Sequence, residues 1–412
     1  MCAQCAPTVT GTRTHDEHGR YTYRVVRLGF KPSWGRQLFP GRFDSCCLPP
    51  TFRGEEPMST ALAGRRGAVS PRVGAVGVIV LAMVGLFFVK WQPYFHKALL
   101  AFDTHSIGHS ILMGDSADPP PASLESAIDY AMAYGKAIWQ ALLLGLLMGT
   151  AVQEFVPRQW LARVLGSGNF KSISAGVLFA LPGMMCTCCA IPVAIGLRRT
   201  AASAGAAAAF WLGNTVLNPA TLIFMGFVLG WKWVGLRLAL GIPMVWGAGF
   251  LISRFASDAD ERQLLAHAAE LTEPVEGRGT LRGWLTRLTA MSLRLIPEYL
   301  VLVLLLGAGR ALLFPHIGPA VGNELYWVVV MSLVGLLFVI PTAGEVPIVQ
   351  AMLALGVGAG PAAALLMTLA PVSAPSLVMA RQGFSSRVLG LISVCVFAAG
   401  VAAGLLAMGL AY

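Results

Sequence analysis

The 412-residue chain is 56% hydrophobic and 12% charged, with a mean hydropathy of +0.68, which excludes a soluble domain of this length. A formal charge of +10 would suit nucleic acid in a soluble protein. Here the basic residues sit in short segments at the ends of apolar runs, where they report membrane orientation and argue against a nucleic-acid partner.

Lipid offers no partner to an open strand edge, and the short alternating pattern of a barrel is missing, so the chain reads as all-α and polytopic. Residues 1–57 are Arg-rich and lack an apolar run, and they read as a disordered tail or a spurious extension before a true start at Met58. Cys2, Cys5, Cys46 and Cys47 could bind zinc there, but no regular knuckle surrounds them. Residues 58–95 hold the first membrane helix, Val73 to about Tyr94, with Arg65, Arg66 and Arg72 placing its N-terminus in the cytoplasm. Residues 96–125 form a polar external segment with a Pro119-Pro120-Pro121 run; His105, His109 and Asp103 in it are a weak metal-site pattern.

Residues 126–253 make a first membrane repeat, 254–287 a charged cytoplasmic loop with a surface helix over 258–271, and 288–412 a second repeat. In the first repeat a span ends near Val152, followed inside by Arg158, Arg163 and Lys171. Ser172 to Leu197 is then cut by Pro182, Gly183 and Pro192 into pieces of about ten residues, each reaching about 15 Å, half the hydrocarbon core. Arg198 and Arg199 follow, so a hairpin that enters and leaves from the cytoplasm satisfies the charge rule better than a full crossing. Ala201–Gly230 crosses outward and Trp233–Ser253 returns.

The second repeat runs in the opposite sense. Leu293–Phe314 crosses outward, Leu325–Gly356 is a second interrupted stretch with no positive charge at its exit, Ala362–Ala380 crosses inward, and Val388–Tyr412 leaves. Seven full spans with two opposed re-entrant hairpins result, an inverted repeat; counting both hairpins as kinked crossings gives nine. Glu298, after Pro297, is expected at a helix entry near the interface.

The two interruptions share a pattern. Cys186-Thr-Cys-Cys-Ala-Ile-Pro192 and Pro341-Thr-Ala-Gly-Glu-Val-Pro347 each end on a proline six positions on; Thr187 matches Thr342, Ile191 matches Val346, and Gly205 matches Gly360. Pro219 and Pro375 extend the match, so Pro192, Pro219, Pro341, Pro347 and Pro375 are expected at helix breaks.

Three thiols within four residues at a break form a soft-ligand site. Cys186, Cys188 and Cys189 are candidate substrate ligands, Cys186 and Cys188 also for transient metal capture; the plain alternative is buried cysteine as a small apolar residue. Glu345, at the place of Ala190, is a candidate proton-coupling group, or else a structural partner of Arg310, Lys136 or a backbone amide. Asn214 and Asn218 are expected to line the cavity and touch substrate, or to pack helix on helix. No Gly-x-x-x-x-Gly-Lys-[Ser/Thr] loop occurs, so no ATP hydrolysis through a P-loop is expected.

Cys186-Thr-Cys-Cys-Ala-Ile-Pro192, with Gly205-Ala-Ala-Ala-Ala-Phe-Trp-Leu212 and Asn218-Pro219, resembles the predicted permease family that includes the organoarsenical efflux permeases, from about Ile138 to the C-terminus. In that family paired cysteines are the proposed ligands of trivalent arsenicals, and the resemblance puts them on Cys186 and Cys188. Cys189 is additional, and Met184-Met185 stand where arsenical members tend to carry a proline.

The expectation is a multi-pass permease of the plasma (inner) membrane, not an enzyme and without a cofactor. It moves a small soft or thiol-reactive solute such as a trivalent organoarsenical or metal species, outward, with the lipid bilayer and a homo-oligomer as partners. A membrane thiol oxidoreductase and a non-transporting assembly factor are the alternatives; the first predicts a second cysteine pair, and after Met58 only Cys189 and Cys395 remain for it.

Overall fold

A computed structural model describes residues 13–15, 21–23, 70–106, 123–256, 279–313 and 321–410. The unit 1–56 holds a short antiparallel pair, β1 (Arg13–His15) with β2 (Tyr21–Tyr23). In the unit 57–412 every regular element among the described residues is a helix. The N-terminal cysteines, His109, the proline run at 119–121 and the surface helix over 258–271 lie outside the described residues.

Helices α1 (Pro71–Leu86) and α2 (Gln92–Thr104) are joined by a π-helical turn, Phe87–Trp91, into one rod that runs past the expected end at Tyr94. The wider turn lies where Pro93 has no amide to offer Val89, so the rod passes the proline without breaking. Next come α3 (Leu124–Phe155), the surface-lying α4 (Arg158–Leu165), α5 (Phe170–Ala180), α6 (Thr187–Thr200), α7 (Ala204–Val216), α8 (Pro219–Val228) and α9 (Trp231–Phe255). The second half holds α10 (Leu281–Leu313), α11 (Leu325–Leu337), α12 (Glu345–Ala354), α13 (Ala359–Thr368), α14 (Ala374–Ala380) and α15 (Ser386–Gly409).

Six helical stretches among the described residues are long and apolar enough to cross a membrane: Arg72–Thr104, Ala127–Phe155, Ala204–Val228, Trp231–Phe255, Leu281–Ala308 and Ser386–Gly409. The pair α4 and α5, bent by 109°, makes up to seven. The expected crossing Ala362–Ala380 is instead two short helices, because Ser373 caps α14 through a reciprocal bond with Ser376 and Pro375 occupies its first turn. Glu298 is not at a helix entry either: α10 is continuous through Pro297, and Glu298 lies exposed in its middle.

Both interrupted stretches turn back to where they started. After α6, the Ser203 amide donates to the Leu165 carbonyl that precedes α5, at 2.8 Å. After α12, the Gly358 amide donates to the Val321 carbonyl that precedes α11, also at 2.8 Å. In each stretch the chain doubles back on itself as a hairpin. They sit at opposite ends of α15: Arg198 of α6 donates to the Gly383 carbonyl just before α15, while a side chain at Gly360 would strike Gly404 and Met408 at its far end.

The packing is crossed. Helix α6 of the first hairpin lies against α14 of the second half, and α12 of the second hairpin lies against α8 of the first. Within each half the pairs α5–α7 and α7–α9 are matched by α11–α13 and α13–α15. One hydrophobic core runs through both halves.

Candidate functional site

Each hairpin tip is a stretch of non-helical chain buried in protein, where irregular backbone at membrane depth is tolerated. In the first, Pro182 and Gly183 end the 3₁₀ turn after α5, Met184 takes a left-handed φ of 45°, and Cys186 in extended conformation opens α6. Asn214 of α7 holds this turn. Its Oδ1 accepts the Met185 amide at 3.3 Å and fills the space where a residue larger than Gly183 would place its Cβ. Its Nδ2 donates to the Phe210 carbonyl, so both ends of the amide serve backbone. Asn218 likewise caps α8, accepting the amides of Ala220 and Thr221.

The tip brings the three thiols together. Cys186 Sγ lies 2.9 Å from Cys188 Sγ and 2.8 Å from Cys189 Sγ, and the latter two are 3.5 Å apart. Among the described residues no other group of three possible metal ligands lies this close. All three are free and buried, at the start of α6. The Tyr134 hydroxyl donates to Cys188 Sγ at 3.7 Å and shares a 2.7 Å bond with the Tyr299 hydroxyl, so α3 and α10 close the back of the cluster.

Pro192 is not at the break. It is the sixth residue of α6, and its ring removes the amide that would have bonded the Cys188 carbonyl within the helix. Pro219 opens α8, Pro341 lies in the second break, and Pro347 and Pro375 stand in the first turns of α12 and α14. The first-turn positions need no amide partner, which explains why prolines there mark breaks that end just before them.

Glu345 opens α12 and is 1% exposed. Its ion partner is Arg237 of α9, at 3.0 Å, rather than Lys136; the Arg310 side chain lies outside the described residues. That guanidinium also donates to the Thr215 carbonyl at 2.9 Å, the Val216 carbonyl at 3.0 Å and the Leu366 carbonyl at 3.4 Å. One buried cation thus satisfies carbonyls at the end of α7 and in α13 together with the carboxylate of α12.

Between the tips lies a cavity of about 210 Å³, lined by Cys186, Ile138, Ala141, Thr342, Pro347 and others, and by Lys90, Tyr94 and Lys97 of the first rod. A niche of about 10 Å³, room for one water, adjoins it and is lined by Cys186, Asn218, Thr342 and Glu345. Lys90 is 4% exposed; its Nζ donates to the Tyr94 hydroxyl at 3.1 Å and to Thr342 Oγ1 at 3.2 Å. The matched residue Thr187 donates to the Ala370 carbonyl, in the break between α13 and α14. Of the outer metal pattern, His105 instead turns its ring to the Phe227 carbonyl at 2.9 Å.

The structure therefore brings together Cys186, Cys188, Cys189, Asn218 and Glu345 around one region, with Asn214 behind the tip. Lys90, Arg237, Tyr134 and Tyr299 were missed by the sequence reading. For Lys90 and Arg237 a signal existed, since each is a lone cation inside an otherwise apolar run. The tyrosines carried none, because their packing partners come from distant segments.

The profile of a family described as "Predicted permease" matches residues 179–409, which include both tips. The chain is 47% identical over 329 residues, 80% of its length and 93% of the relative's, to the UPF0718 protein YraQ of Escherichia coli. It is 23% identical over 314 residues, 61% of its length and 84% of the relative's, to the UPF0718 protein MJ0584 of Methanocaldococcus jannaschii. No solved structure matches it.

Proposed function

The chain belongs to the predicted permease family, and on that premise we propose that it exports a small soft or thiol-reactive solute across the plasma membrane, held by Cys186 and Cys188. The observation that carries this reading is the convergence of three thiols, 2.8 to 3.5 Å apart, beside a cavity between two broken hairpins. Sulfur donors select soft centres, and a set without histidine suits transient capture better than a closed structural site. A trivalent arsenical of the type R–As(OH)₂ would exchange two hydroxyls for two sulfurs, each thiol proton leaving as water, with no change of oxidation state.

The matched motifs, the mirrored helix pairs and the hairpins at opposite ends of α15 support an inverted repeat in which the halves rock about a shared midplane site. In this reading Glu345 couples protons: protonation would break its pair with Arg237, which also grips α7 and α13, and so loosen the contact between halves. The positive residues near Arg158 and Arg198 support a cytoplasmic first hairpin, with the chain's N-terminal side also inside.

Everted membrane vesicles test the proposal. Uptake of a trivalent methylarsenical is expected in vesicles with the intact protein and absent from those with Cys186→Ser or Cys188→Ser at equal membrane levels. Undiminished uptake in both variants removes the ligand role.

A further inference from the structure

The cavity beside the thiols has a charge that the soft-solute reading does not require. Its lining contains two lysines, Lys90 and Lys97, and no carboxylate. Lys97 is exposed at its edge, whereas Lys90 is buried. A buried ammonium is ordinarily paired with an acid. Among the described residues Lys90 has no carboxylate partner: its hydrogen bonds go to two neutral hydroxyls, Tyr94 and Thr342, with the Tyr94 ring 5.3 Å from Nζ, and the thiols of Cys186 and Cys189 lie within reach of its charge. The nearby acid of the niche, Glu345, is already engaged by Arg237.

An ammonium has three donors, and the two hydroxyls account for two of them. The N-terminus of α6, at Cys186, adds positive potential from another side. Thr342 belongs to the second tip and Cys186 to the first, and both line the same 210 Å³ space. A solute in that space meets both a sulfur, Cys186, and a cation, Lys90.

We infer that the permease is built for an anionic soft solute, whose carboxylate or oxyanion group pairs with Lys90 while its soft centre faces Cys186. The inference rests on the thiol reading given above and narrows its substrate class. The π-helical turn at Phe87–Trp91 carries Lys90 itself, so local backbone geometry aims the ammonium inward.

The test uses the full chain in lipid nanodiscs and two probes of like shape: neutral phenylarsenous acid and its 4-carboxylate, titrated by calorimetry. The carboxylate is expected to bind about tenfold more tightly, the scale of one charge-assisted hydrogen bond. Lys90→Met is expected to bring the ratio of affinities near one and Lys90→Arg to retain it. Equal binding of both probes to the unmodified chain overturns the anionic inference and leaves the thiol reading standing. A preference that persists in Lys90→Met overturns the assignment to Lys90. Binding of neither probe, or binding indifferent to Cys186→Ser with Cys188→Ser, overturns the thiol reading and this inference with it.

Discussion

Arg237 and Glu345 form a 3.0 Å ion pair in which both side chains are almost fully buried, linking α9 of one half to the tip of the other half's hairpin. Removing the cation alone leaves a carboxylate in the core and frees three backbone carbonyls. Arg237→Met is therefore expected to destabilise the protein by about 3–5 kcal/mol, and Arg237→Met with Glu345→Gln by distinctly less than the sum of the two. Thermal unfolding of the detergent-solubilised single and double variants measures the coupling; additive losses would show that the pair does not act as a unit.

Glu345→Gln keeps the shape of the side chain and removes its titration. If the carboxyl carries the coupling proton, transport into everted vesicles responds to an imposed pH gradient in the unmodified chain and not in Glu345→Gln. An equal response in both places the coupling elsewhere.

The thiol trio has a signature independent of transport. Cadmium is expected to protect Cys186, Cys188 and Cys189 together from alkylation by a small maleimide, while Cys395, partly exposed on α15, stays reactive. Mass spectrometry of the labelled peptides reads both outcomes, and protection of Cys395 to the same extent would mark the effect as nonspecific.

Glu154 tests the framework away from the tips. Its buried carboxylate accepts Arg287 Nε at 2.8 Å and the amides of Gly279 and Thr280 at 2.9 and 3.1 Å, fixing the start of α10 against the end of α3. Glu154→Ala is expected to cost about 3 kcal/mol, the loss of a buried pair's partner, visible as a lowered melting temperature with thiol protection intact.

Close backbone contact explains a further sensitivity. Gly145 and Gly149 on α3 face the carbonyls of Cys189 and Pro192 on α6, where any Cβ would overlap them. Gly145→Val is expected to displace the thiol helix and to abolish cadmium protection, at a cost of about 1–3 kcal/mol; protection at the unmodified level would refute this contact.

The paired breaks, the thiol tip and the hairpins were legible in the sequence because local chemistry encodes them. Prolines sit at fixed offsets, flanking arginines mark one exit and not the other, and three cysteines fall in four positions. Asn214 and Asn218 were also found, as cavity or helix-packing residues: Asn218 does line the niche, while the polar atoms of both bond backbone, at Met185, Phe210, Ala220 and Thr221. The partner of Glu345 was not legible, since the one that meets it lies 108 positions earlier and only folding decides among the cations. The length of the first rod was misread because His96, Lys97 and Asp103 look like a loop, although they sit on an exposed helical face.

The crossed seating of the hairpins, α6 on α14 and α12 on α8, has a consequence for how such a chain could have arisen. Cut between α9 and α10, each fragment would keep its hairpin and its own-half packing, α6 on α3 and α12 on α13, but lose the contact that hairpin makes with the other half. Separately encoded halves would have to be made together and assemble as a pair before either could present a finished tip. Fusion of the halves into one gene removes that search for a partner, and it lets the two tips diverge in sequence, sulfur in one and a carboxylate in the other, without risk of pairing like with like.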